Sequence, residues 1–142
     1  MNRLAVIYWS GTGNTEAMAK AVLAGAKAAG SEADLFSVSE ISVEKALEYE
    51  ALALGCPAMG GEVLEENEFE PFFTELEKSI SGRKITLFGS YGWGDGQWMR
   101  DWQERSQAAG ANICGEGLML NETPDSNGLA ECENLGKTIA AY

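Results

Sequence analysis

Seven consecutive residues, Ser10-Gly11-Thr12-Gly13-Asn14-Thr15-Glu16, set three hydroxyls, a carboxamide and two glycines between an apolar run and an amphipathic stretch. That combination binds anions. A helix N-terminus carries roughly half a positive charge, glycines let a ligand approach the backbone, and hydroxyls donate hydrogen bonds. No lysine or arginine lies in the loop, which suits a terminal phosphate monoester. A Walker-type loop requires Gly-Lys-Ser/Thr to reach β- and γ-phosphates, and a dinucleotide fingerprint requires a third glycine where Glu16 stands. Neither pattern is present.

Two further segments carry unusual residues. In Gly55-Cys56-Pro57-Ala58-Met59-Gly60-Gly61-Glu62, Met59 belongs to no helical or strand period. It either folds back onto the core or lays its polarizable thioether over an aromatic ring. In Ser90-Tyr91-Gly92-Trp93-Gly94-Asp95-Gly96, Trp93 stands between glycines, as an interface residue or a stacking surface. Trp98 and Trp102, one helical turn apart, are packing residues instead. The chain has no histidine, which excludes Ser-His and Cys-His nucleophilic catalysis. Its three cysteines, Cys56, Cys114 and Cys132, form no CxxC and are expected as small buried residues in a reduced cytoplasm, with no metal site.

The elements that must position these segments alternate along 142 residues. Apolar strands are expected near 4–9, 33–38, 51–56, 84–90 and 111–120. Helices are expected over 15–29 and 43–49, from Pro71 at a first helical position, from Trp98, and through Cys132, Leu135 and Ile139. Five βα units in one domain, 1–142, imply an α/β fold: a doubly wound three-layer sandwich with a five-stranded parallel sheet in order 2-1-3-4-5. Strands 1 and 3 diverge there, so the loops after strands 1, 3 and 4 converge on one ligand. The longest apolar run, 4–9, falls far short of the ~20 residues that span a bilayer. Ten basic against 22 acidic residues give a net charge of −12, which repels nucleic acid and anionic membranes and favours basic partner surfaces, although acidity also aids solubility.

The phosphate-loop heptad resembles that of flavodoxins, and nearly the whole chain is similar to the short-chain, clostridial and anaerobe branch of that family. The resemblance implies noncovalent FMN. Its phosphate would be held by Ser10, Thr12, Asn14 and Thr15 with loop amides including Gly11 and Gly13. Its ring would lie between Met59 and Trp93, with Glu62 accepting the ring N3–H and Pro57, Ala58, Gly60, Gly61, Ser90, Tyr91, Gly92 and Gly94 completing the two ring loops. Pro57 departs from the pattern: many relatives carry a hydroxyl there, and proline removes that phosphate contact.

The resemblance further implies a low-potential one-electron carrier, not an enzyme, passing among quinone, neutral semiquinone and anionic hydroquinone states. The Gly60-Gly61 peptide would rotate on reduction so that the Gly60 carbonyl accepts N5–H. Glu62, Glu65, Glu66, Glu68, Glu70 and Asp95 would oppose the second electron. Partners would be transient redox proteins with basic docking surfaces, met by a cytoplasmic monomer. The alternative is a flavodoxin-like FMN protein dedicated to ribonucleotide reductase activation. A third option, a receiver-type signalling domain on the same topology, is disfavoured because strand 3 ends in Gly55-Cys56-Pro57 without a phosphoacceptor aspartate.

Overall fold

Strand β1 (Arg3–Tyr8) is buried from Leu4 onward on both faces, as a central parallel strand must be when helices cover each side of its sheet. In the computed structural model, which describes residues 3–142, it is followed by α1 (Asn14–Ala28), β2 (Glu32–Ser37), α2 (Val43–Ala46), β3 (Ala51–Gly55) and α3 (Phe69–Leu76). Next come β4 (Lys84–Tyr91), α4 (Gln97–Ala108), β5 (Asn112–Ile113), β6 (Leu118–Asn121) and α5 (Ser126–Ala141). The strands are parallel in the order β2-β1-β3-β4-β5, with β6 also paired to β4.

Alternation along β1 divides the core. Leu4 and Val6 join Met18 and Val22 of α1 and Cys132 and Ile139 of α5 on one face. Ala5 and Ile7 join Phe69, Phe73, Trp98 and Trp102 of α3 and α4 on the other. The Trp102 ring meets Phe69 edge-on at 5.4 Å and Phe73 at 5.9 Å. All three cysteines are buried. Helices α1 and α5 approach backbone to backbone: a Cβ on Gly25 would lie 1.9 Å from the Glu133 carbonyl oxygen, and one on Gly136 would lie 2.0 Å from that of Val22.

Three elements differ from expectation by more than a one-residue offset. The fifth strand, expected over 111–120, is two pieces. The Cys114 amide still bonds the Ile85 carbonyl (2.8 Å), but Gly115 turns out of the sheet at φ 71°, and pairing with β4 resumes at Leu118 opposite Phe88. Pro71 stands third in α3, not first; first-turn amides have no intrahelical acceptor, so proline is tolerated there too. Helix α2 ends at Ala46, three residues before the expected 49, after a start capped by the Ser42 hydroxyl on the Lys45 amide (3.1 Å).

Candidate cofactor site

Each of β1, β3 and β4 ends, at its carboxyl edge, on one wall of a cleft of about 250 Å³. Chain continuity dictates this location, because the connection from β1 leads to β2 on one side while that from β3 leads to β4 on the other, opening a crevice between diverging loops. Ser10, Gly11, Thr12, Asn14 and Thr15 form one end; Pro57, Ala58 and Met59 face Ser90, Tyr91 and Gly92 along the rest.

At the loop end, the Ser10 hydroxyl accepts the Gly13 amide at 3.1 Å and folds the loop over the start of α1. Helix geometry leaves the amides of Thr15 and Glu16 without intrahelical acceptors. Thr123 donates its hydroxyl to Asn14 Oδ1 at 3.3 Å, which keeps the carboxamide N–H₂ as a donor. Thr15 is buried, and its hydroxyl shares a 2.8 Å hydrogen bond with the Ser90 hydroxyl while accepting the Ser90 amide at 3.3 Å. It therefore locks the loop to β4. Glu16 is turned away: Tyr8 donates its hydroxyl to Glu16 at 2.8 Å, beside a separate polar hollow that Gly13 also borders. Burial and that carboxylate push the Tyr8 pKa up to about 12, so the phenol stays a donor.

At the other end, residues 59–63 form a tight reversal. The Glu62 amide donates to the Met59 carbonyl (2.8 Å) and the Met59 amide to the Val63 carbonyl (3.0 Å). Gly60 and Gly61 occupy the turn centre, neither with positive φ, whereas Glu62 takes φ 53°. Glu62 Oε1 is buried without a hydrogen-bond partner, against Gly94 of the β4 loop. Such an atom costs stability unless a ligand supplies a donor. Trp93 is 63 % exposed and no aromatic ring among the described residues stacks on it. Gly13, Gly60, Gly61, Glu62, Trp93 and Gly94 thus lie outside the cleft wall, while the other eleven expected residues line it.

The cleft also has walls that the sequence reading did not name. Trp9 packs over Gly11 and donates its indole N–H to Glu68 at 3.2 Å. Glu122, from the turn after β6, lines the cleft with φ 56°. The acidic segment, moreover, is not one solvated face. Glu65 is buried, and its carboxylate accepts the amides of Asn67, Glu68 and Phe69 at 2.7 to 2.9 Å as the cap of α3. Glu70 forms a two-point ion pair with Arg105 at 2.7 and 2.8 Å.

A family model described as Flavodoxin matches residues 6–136. The chain belongs to the flavodoxin family. It is 47% identical to a flavodoxin of Clostridium beijerinckii over 135 residues, covering 95% of this chain and 97% of that one. A flavodoxin of Megasphaera elsdenii is 45% identical over 135 residues, covering 95% and 96%. The solution structure of the two-electron reduced Megasphaera elsdenii flavodoxin superposes with a TM-score of 0.90 at 44% identity, over 98% of this chain and 99% of that one. This flavodoxin is accordingly an FMN protein that transfers electrons to redox partners.

The residues fit the cofactor. A cation-free cradle of hydroxyls and amides matches the phosphate, and the cleft leads from it past Met59 and Tyr91.

Proposed function

We propose that this flavodoxin is a low-potential one-electron carrier whose FMN is held by the seventeen cleft and loop residues named from the sequence. The observation that carries the reading is the continuity of the cleft from Thr12 and Asn14 to Met59 and Tyr91. One end takes a phosphate, the other a flat ring. When bound, FMN supplies two successive one-electron steps; the chain sets their relative cost.

Ser10, Thr12, Asn14 and the α1 amides anchor the phosphate. Met59 and Trp93 would cover the ring faces, and the Glu62 carboxylate would accept N3–H. In the reversal, Gly61 is the third of four turn residues, the position whose φ becomes positive when the central peptide rotates. Glycine meets that change without a side-chain penalty, and a Cβ at either Gly60 or Gly61 would find open space. Such a rotation would free the Gly60 carbonyl to accept a hydrogen bond from the ring.

The net charge of −12 and the carboxylate of Glu62 oppose adding the second electron, which lowers its potential. The same acidity suits transient docking on basic partner surfaces. Among the described residues no helix is long and apolar enough to cross a membrane, and the three cysteines are buried as free thiols.

Reductive titration of the FMN-loaded protein, followed by its visible spectrum, tests the proposal. Two resolved one-electron steps are expected, the second below that of free FMN. A protein that binds no FMN, or that takes both electrons in one unresolved step, overturns it.

A further inference from the structure

Glu62 and Glu122 are the two non-glycine residues with positive φ among those described. Glu62 belongs to the ring reversal. Glu122 has no role in the anchoring described so far, yet it lines the same cleft, in a backbone region that side-chain-bearing residues seldom adopt.

Two hydrogen bonds fix where Glu122 stands. Its amide donates to the Tyr91 carbonyl at 2.7 Å, on the ring side of the cleft. The next residue, Thr123, donates its hydroxyl to Asn14 Oδ1 at 3.3 Å, on the phosphate side. Glu122 therefore bridges the wall between a phosphate-loop residue and a ring-loop residue. In FMN, the group spanning phosphate and ring is a ribityl chain with three hydroxyls. A carboxylate accepts hydrogen bonds and donates none, which makes it complementary to hydroxyl donors and unsuited to the phosphate itself.

We propose that Glu122 accepts a hydrogen bond from the ribityl hydroxyls of the cofactor and so selects a polyol-bearing flavin. This rests on the FMN reading above. Charge-assisted hydrogen bonds are about twice as strong as neutral ones, which gives the contact enough weight to offset the strained backbone.

The test compares lumiflavin, which has the ring alone, with riboflavin and FMN, by quenching of flavin fluorescence on binding to the apoprotein. Glu122→Gly removes the carboxylate and relieves the positive φ, so its urea midpoint is expected to equal or exceed that of the parent. Its riboflavin affinity is expected to fall about tenfold, with lumiflavin affinity unchanged. FMN affinity falls by less than riboflavin affinity, because the substitution also removes repulsion between the carboxylate and the phosphate dianion. Glu122→Gln keeps an acceptor and loses less than Glu122→Gly for riboflavin.

Unchanged or improved riboflavin affinity in Glu122→Gly overturns the proposal. An equal loss for lumiflavin also overturns it, by assigning Glu122 to loop geometry. Failure of the parent protein to bind FMN would instead refute the carrier reading, so the two outcomes are distinct.

Discussion

The indole N–H of Trp98 donates to the main-chain carbonyl of Cys56 at 3.1 Å, with both residues buried. This one bond ties the start of the ring loop to α4, directly ahead of Pro57, Ala58 and Met59. Trp98→Phe keeps most of the packing but leaves the Cys56 carbonyl short of a donor, at a cost of about 1 to 3 kcal/mol. A lower urea midpoint is expected, together with weaker FMN binding from a loosened ring loop. An unchanged midpoint would show that the bond is dispensable.

Acid should unfold the protein partly through Glu65. Burial alone would raise its pKa, but hydrogen bonds from the amides of Phe69, Glu68 and Asn67 outweigh that and hold it below the ordinary carboxylate value. A lowered folded-state pKa contributes stability that is complete above the unfolded value, about 4.3, and is lost as pH falls through the folded value. Glu70, lowered chiefly by its hydrogen bonds to Arg105, acts in the same direction. Glu65→Gln should lower stability by about 1 kcal/mol at pH 7 and flatten the fall in urea midpoint below about pH 4.3. An acid slope equal to the parent's would remove Glu65 from the account.

Backbone contact between α1 and α5 leaves no room for a methyl group. Gly25→Ala and Gly136→Ala each force the helices apart, and overpacking of this kind costs about 1 to 3 kcal/mol. Both variants should melt at lower temperature in calorimetry. Because α1 begins at the phosphate loop, weaker FMN binding should accompany the shift; a melting temperature equal to the parent's would show that the helices accommodate the methyl freely.

Glu62→Gln should raise the potential of the second electron. A carboxylate that accepts N3–H stands about 5 Å from the charge of the reduced ring, which at an effective dielectric of about 20 is worth roughly 3 kcal/mol, or ~140 mV for one electron, before salt screening. Spectroelectrochemistry reads the shift directly, and an unchanged or lower value contradicts the assignment.

The strand order and the phosphate loop were legible because both rest on local pattern: apolar runs of strand length and a hydroxyl-rich heptad between strand and helix. Pro71 misled because a proline fits any position of a first helical turn, and its sequence neighbours do not say which. The break in the fifth strand turned on Gly115 adopting positive φ inside an otherwise strand-like run. Trp9 read as a strand residue, although β1 stops at Tyr8. Glu122 gave no composition signal, since glutamate seldom adopts its backbone conformation. The available clue was topological: the turn after the last strand, with Pro124 nearby, lies on the same sheet edge as the other loops. Glu65, expected only among the carboxylates that oppose the second electron, also accepts three backbone amides at the start of α3, a contact that no local pattern announces.

The hydroxyl pair of Thr15 and Ser90 joins positions 75 apart in the sequence, and the cleft they help close runs from Trp9 to Glu122. The cleft walls therefore come from distant segments of the chain that only tertiary folding brings together, which makes flavin uptake a readout of native tertiary structure.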